Sequence, residues 1–435
     1  MSSLATLVRG YDPLVHLDRA LARRDHVMRL MAEYGTLAAD KRERIAKEPL
    51  TFVTPRASRF AAHFVDHVMA KLGPRSTGGT IRTTLDATLQ RRLETAVAQH
   101  LLDRRDHALV QAGVVVIDPK GGEIRAMVGS ADHAAPEDGQ NNIVTIPRHP
   151  GSALKPFIYA MAIENGASPS SLVADSLAAV DDYHPRKQMR EHGSARHREA
   201  LAGSFNLAAV EVLSNVGVGS LLERLRALGL APLTGSSHDY GLDLALGSAR
   251  VRLLDLAAAY GFLVSGGKVV LPTPLAGEWP RLAPGSFSPE SSWLVIDMLS
   301  DADARRAVFG AELPLDLPFK VAAKTGTSSG VADTVTVAAT NEAIAAAWAG
   351  SFDGSGSKGA LAMWSAAPLV RAALLAVADL AGHPLTLPPA PAGITTRDVC
   401  RISGALPGPH CPRKHEHFVE DHEPQVTCDG KHGFQ

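Results

Sequence analysis

Pro150-Gly151-Ser152-Ala153-Leu154-Lys155-Pro156-Phe157 is the stretch around which the 435-residue chain reads as organised. Ser152 and Lys155 stand three apart, so a helix opening here places both side chains on one face. Pro150 and Gly151 suit a helix entrance, and Phe157-Ile158-Tyr159-Ala160-Met161-Ala162-Ile163 continues it as an apolar run that calls for burial. A serine hydroxyl attacks only with a base in reach, and burial lowers a lysine pKa until the neutral amine can be that base. Ser152 is the candidate nucleophile and Lys155 its partner. The same spacing recurs at Ser265-Gly266-Gly267-Lys268 and Ser355-Gly356-Ser357-Lys358, where the glycines make turns the better reading.

Around this stretch the composition allows a large core, with 45% apolar and 20% charged residues. A net charge of -1 and an aromatic content of 5% argue against a nucleic-acid partner, which needs a basic surface or stacking platforms. Arg9, Asp12, Asp18 and Arg19 interrupt the N-terminal region, so the sequence shows neither a signal peptide nor a transmembrane segment. Cys400, Cys411 and Cys428 all lie beyond residue 399, which fits a small disulfide-bonded or metal-bound C-terminal module. An odd count cannot pair completely within one chain. His410, His415, His417 and His422 make zinc conceivable, but no Cys-x-x-Cys spacing supports it, so no metal or cofactor is assigned.

Read in order, residues 1–49 are helical and polar, with Leu21, Val27, Met28, Met31 and Ala32 spaced as one apolar stripe. Residues 50–107 form a linker region, with an amphipathic helix over Phe60 to Leu72, a strand over Thr80 to Leu85 and a helix over Asp86 to Leu102. The main domain, 108–385, opens with a hairpin whose strands, Gly113 to Asp118 and Glu123 to Val128, flank a turn at Pro119 to Gly122. The apolar first strand implies burial on both faces. A helical middle follows, including Arg198 to Val216, one long helix over Leu244 to Phe262, and Pro289 to Ser300. Strands Val321 to Thr325, Thr334 to Ala339 and Ala343 to Trp348 and a helix Pro368 to Leu380 close the domain. The order predicts an α+β fold, one central antiparallel sheet flanked by helices. Residues 386–435 are a Cys-, His- and Pro-rich tail.

Two further motifs join the first. Ser204-Phe205-Asn206 is the single Ser-x-Asn in the chain, and Lys324-Thr325-Gly326, followed by Thr327, ends an apolar strand. On such a strand the lysine offers a fixed charge, the threonine a hydroxyl, and the glycine room for a substrate backbone along the edge. The ordered set Ser-x-x-Lys, Ser-x-Asn, Lys-Thr-Gly is that of penicillin-binding proteins and class A β-lactamases. The chain resembles the transpeptidase half of class A penicillin-binding proteins, nearest to the 1C type. Ala108 to Ser130, Pro150 to Gly166, His197 to Leu213, Gly241 to Gly267, Ser292 to Gly310 and Leu315 to Ser328 carry the resemblance. Ser403-Gly404 and Pro409-His410-Cys411-Pro412 extend it into the tail.

The resemblance implies a D,D-transpeptidase that cross-links peptidoglycan stem peptides and is acylated by β-lactams. Lys155 would take the Ser152 proton, Ser204 would relay a proton to the leaving amine, and Asn206 would orient the substrate amide. Backbone N–H groups of Ser152 and Thr327 would form the oxyanion hole, and Lys324, Thr325 and Thr327, with Gly326 between them, would hold the substrate carboxylate. Residues 1–49 resemble only the end of a glycosyltransferase domain whose catalytic part is absent, so a separate glycosyltransferase polypeptide is an expected partner. The substrate implies a periplasmic site or the outer face of the cytoplasmic membrane. Ser329, Val331, Ala332 and Val335 depart from the family's usual aromatic and basic residues, with Asp333 retained, and Ala208 stands near where proline is common. The alternatives are a D,D-carboxypeptidase, a β-lactamase that would use Glu211 and Asn215, and a non-catalytic β-lactam-binding or scaffold fragment.

Overall fold

Five strands build the central sheet: β1 (Gln111–Ile117), β2 (Ile124–Val128), and the later β7 (Ala322–Thr327), β8 (Asp333–Ala339) and β9 (Ile344–Gly350). Between them in sequence lie two small hairpins, β3 (Leu172–Asp175) with β4 (Gly193–Arg196) and β5 (Val269–Val270) with β6 (Leu282–Ala283). The computed structural model describes residues 16–47, 60–73, 79–104, 109–136, 138–180, 183–185, 189–278, 282–328, 330–354 and 361–431. Ser329 and the Ser355 to Lys358 stretch lie outside them. The chain forms two units, Met1–Arg59 and Phe60–Gln435.

In the first unit α1 (Leu17–Glu33) and α2 (Ala39–Lys47) form a helical hairpin. Of the expected stripe Met28 is buried, whereas Val27 and Met31 stay exposed.

The second unit opens with α3 (Ala62–Leu72) and α4 (Ala87–Asp103). Its sheet is antiparallel throughout, in the order β2-β1-β9-β8-β7. The period-two geometry of a strand divides its apolar residues between two cores. Val115, Ile117, Val337, Ala346 and Trp348 face the helical side, against Leu154, Phe157 and Tyr260. Val114, Val116, Ala338, Ala345 and Ala347 face the other, against Leu89, Leu93, Val97 and Leu101 of α4 and Leu369, Val370 and Leu374 of the final helix. The two-sided burial expected of β1 is thereby met: each of its seven residues is buried.

Helices of the middle region follow as α5 (Lys155–Glu164), α6 (His197–Ala202), α7 (Asn206–Val216), α8 (Val218–Ala227), α9 (Leu253–Ala259), α10 (Pro289–Ser300), α11 (Ala302–Phe309) and, after the sheet, α12 (Ala367–Ala381). A last hairpin, β10 (Ile394–Cys400) with β11 (Arg413–Val419), packs on α10. Among the described residues no helix is long and apolar enough to cross a membrane.

Two expected elements differ. Thr80 to Leu85 makes only the single bridge Thr83↔Leu275 in place of a strand. Its neighbour is Pro272-Thr273-Pro274, and proline has no N–H to continue a ladder. Leu244 to Phe262 is not one helix: a 3-10 turn, Leu242–Leu246, stops at Gly247 (φ +79°), before α9 begins at Leu253. A Cβ on Gly247 would stand 2.3–2.5 Å from the backbone of Gly151. The helix is broken so that backbone can pass against backbone beside Ser152.

Candidate active site

Ser152 sits on a 3-10 turn, Gly151–Leu154, that runs directly into α5. Lys155 begins the α-helix, Pro156 occupies its first turn as proline prefers, and every residue from Lys155 to Ile163 is buried. Tyr260 pins the turn from below by donating its hydroxyl to the Ala153 carbonyl at 2.7 Å.

Strand β7 passes alongside this turn. It is the terminal strand of the sheet, so alternate backbone groups point away from the ladder. A Cβ on Gly326 would meet the Pro150 carbonyl oxygen at 2.0 Å. The room that glycine provides is therefore filled on this face by the chain's own Ser152 turn, and not by a substrate backbone along the edge. Pleating puts Lys324 on the same side of β7 as Ala322, toward the helices, and Thr325 and Thr327 on the side of Ala323. Thr327 Oγ1 accepts from the Ala362 N–H at 3.2 Å.

Ser204 comes from the break between α6 and α7, where it takes φ +62°. A non-glycine residue in the left-handed region is uncommon and is held there by its surroundings. Here the Ser204 N–H donates to the Leu201 carbonyl at 3.2 Å and its own carbonyl accepts from Lys155, while Asp175 anchors the start of α7 that follows. This fully buried carboxylate at the end of β3 accepts from the Ala208 N–H at 2.7 Å and from the His192 N–H at 3.1 Å, and lies 2.6 Å from His192 Nδ1. The His192 ring in turn stacks on Phe205 at 3.9 Å. Ala208 thus earns its place, because a proline there would have no N–H for Asp175.

The structure brings the three motifs together at two lysines. Lys155 Nζ donates at 2.8 Å to the Ser204 carbonyl, the Phe205 carbonyl and Asn206 Oδ1, and lies 3.5 Å from Ser204 Oγ. Lys324 Nζ donates to the same Ser204 hydroxyl at 2.8 Å and to the Thr325 carbonyl at 2.9 Å. Ser204 Oγ is therefore shared by both amines. Lys155 and Lys324 are buried, Ser152, Ser204 and Thr327 are half-buried, and Asn206 is exposed.

Burial and then the charge of Lys324 push the Lys155 pKa well below the ordinary lysine value, with Asp175 opposing. Burial, followed by the charge of Arg305, brings Lys324 down to about 7. Three acceptors match the three N–H bonds of a protonated Lys155, while desolvation makes its neutral form accessible. Such a group can both take and return a proton.

Sequence spacing had not singled out Asp175, His192, Tyr260 or Arg305, which reach the site through tertiary contact alone. Asp333, retained after Thr327, is also structural in its contacts. It accepts from Trp348 Nε1 at 2.9 Å, its N–H donates to Ser328 Oγ at 2.9 Å, and it lies 3.8 Å from Arg148. Glu211, considered as a water-activating group, accepts from the Ala174 N–H at 2.6 Å, and Asn215 is exposed at the far end of α7.

Residues 112–363 match the penicillin-binding protein transpeptidase domain, and residues 390–432 match the C-terminal domain of penicillin-binding protein 1A. Penicillin-binding protein 1C of Escherichia coli is 32% identical over 356 residues, 81% of this chain and 45% of that protein. Penicillin-binding protein 2D of Bacillus subtilis is 27% identical over 97% of this chain and 64% of its own length. The chain therefore spans about half to two-thirds of these relatives. In fold it resembles penicillin-binding protein 1A from Haemophilus influenzae, with a TM-score of 0.72, 18% identity and coverage of 96% of this chain and 84% of that one. The transpeptidase match takes in more than half of the chain and contains Ser152, Lys155, Ser204, Asn206 and Lys324 to Thr327, and the chain belongs to the penicillin-binding protein transpeptidase family.

Proposed function

We propose that the chain is a serine acyltransferase acting on D-alanyl-D-alanine termini of peptidoglycan stem peptides. The observation that carries this reading is the Ser204 hydroxyl held between Lys155 and Lys324, beside the Ser152 turn. In the first step neutral Lys155 takes the Ser152 hydroxyl proton as Oγ bonds to the penultimate D-alanine carbonyl carbon. Backbone N–H groups of Ser152 and Thr327 receive the developing oxyanion, worth about 3–4 kcal/mol per donor in other serine enzymes. The C–N bond breaks, and the proton travels from Lys155 through Ser204 to the departing D-alanine amine. An amine of a second stem peptide then attacks the ester, and Ser152 Oγ leaves with a proton returned by the same route.

In this scheme Asn206 orients the substrate amide, while Lys324, Thr325 and Thr327 hold its carboxylate beside Gly326. A β-lactam would enter as the same acyl donor and stay attached. Family membership supports acyl transfer on a serine; D-alanyl-D-alanine specificity, a location outside the cytoplasm and a separate glycosyltransferase partner are parts of the proposal. So are the domain boundaries at residues 49, 107 and 385.

Labelling with a fluorescent penicillin, followed by intact mass, tests it. Wild type is expected to carry one stable adduct and Ser152→Ala none. Absence of an adduct on folded wild type would sink the acyl-enzyme. Rapid release of hydrolysed drug would favour the β-lactamase, and release of D-alanine to water without cross-linking the carboxypeptidase.

A further inference from the structure

The C-terminal tail gathers its three cysteines at one point. Cys400 ends β10, Cys411 precedes β11, and Cys428 lies in the final loop, yet their Sγ atoms are all within 4.8 Å of one another. Each is placed by backbone hydrogen bonds: Cys400 N–H to the Ala405 carbonyl at 2.7 Å, Cys411 N–H to Gly408 at 3.2 Å, and Cys428 N–H to Leu406 at 2.8 Å. The N–H groups of Ile402 and Ser403 and the Ser403 hydroxyl point at the Cys400 sulfur, and the Gly408 N–H at the Cys411 sulfur. Such donors stabilise thiolates. Gly408 must lack a side chain, since a Cβ would stand 2.7 Å from the Cys428 carbonyl oxygen and 3.7 Å from Cys411 Sγ. Cys400 is fully buried and Cys411 is 8% exposed.

We propose that Cys400, Cys411 and Cys428 form a thiolate metal site fitted to zinc. A disulfide requires two sulfurs and explains neither the convergence of a third nor the N–H groups aimed at them. With zinc–sulfur bonds of about 2.3 Å, the sulfurs of a tetrahedral site stand about 3.8 Å apart, a small closure from the observed cluster. Binding displaces the three thiol protons, so the site forms as the thiols ionise. Among the described residues no histidine joins the three sulfurs, so the fourth position falls to water. The ion is structural: it would tie the end of β10 to two loops that have only short backbone pairings to hold them.

Cobalt(II) replacement in the full-length chain, purified under mild reductant, is the test. The expected result is an intense thiolate-to-cobalt absorption band, saturating at about one metal per chain and displaced by zinc. Zinc-loaded wild type should resist alkylation at all three cysteines, and the metal-free form should take up three alkyl groups. Cys411→Ser should lower cobalt affinity by at least about tenfold. Wild type that alkylates three times and yet gives no thiolate–cobalt band would overturn the site, without reference to whether any variant folds. Equal alkylation with and without zinc would do so too. A chain recovered from its natural host metal-free and two hydrogens lighter would assign a disulfide instead.

Discussion

Lys324 shows how one residue can carry both recognition and a pH limit. Its pKa of about 7, set by burial and then Arg305, leaves it charged below that pH and neutral above it. An unfolded lysine keeps its proton to about 10.4, so between these values the unfolded chain binds more protons and stability rises with pH. The cost of holding the buried charge is present in full below about pH 7. Carboxylate binding runs the other way, because it needs the charged form. The second-order rate of penicillin acylation should therefore fall as pH rises through about 7, by up to about tenfold per unit. Lys324→Arg, whose guanidinium stays charged, should be slower throughout but keep a flat profile up to pH 9. A wild-type rate that does not decline in that range would remove Lys324 from carboxylate recognition. Asp175 acts at one remove as a positioning residue. Asp175→Asn keeps its shape but loses the charge that opposes deprotonation of Lys155. The rising limb of the acylation profile should shift to lower pH, whereas a purely packing role would change the rate without moving the limb.

Elements position these residues by contact between backbones. β7 and the Ser152 turn touch through Gly326, where a Cβ would lie 2.0 Å from the Pro150 carbonyl oxygen. Gly326→Ala must part strand and turn. Acylation should drop by on the order of 100-fold, the scale of an ångström misplacement, while the melting temperature changes little because the sheet keeps its other pairings. A variant acylated at the wild-type rate would show that the approach is unimportant. On the opposite face α4 contributes apolar packing, with Gln90 bonded to the N–H and carbonyl of Met127 in β2. Leu93 is 1% exposed among Val97, Val116 and Leu374, and Leu93→Ala should cost about 2–5 kcal/mol in urea unfolding with the acylation rate of the folded fraction unchanged.

At the scale of the whole molecule, Arg198 joins the tail to the catalytic body. Its guanidinium is bonded to Glu416 of β11 and to Asp297 of α10, with Asp301 at 3.6 Å. Burial alone would lower its pKa, but Glu416 and Asp297 outweigh that and raise it. Glu416→Ala leaves a buried cation with less compensation, and should cost about 3–5 kcal/mol and make the region beyond residue 385 more sensitive to protease. Much of this molecule was legible beforehand: β1 and its hairpin from an apolar run around Pro119 to Gly122, the sheet from its closing strands, and Ser152, Lys155, Ser204, Asn206 and Lys324 from short motifs. Local spacing determined these because side-chain periodicity and motif order survive in one dimension. Only the tertiary structure decided that Gly247 breaks a helix to pass Gly151, that Ser204 takes a left-handed backbone whose carbonyl accepts from Lys155, and that three distant cysteines meet. Each of those depends on two segments far apart in sequence excluding water and one another's atoms at a single place, and that constraint exists only once the chain has packed.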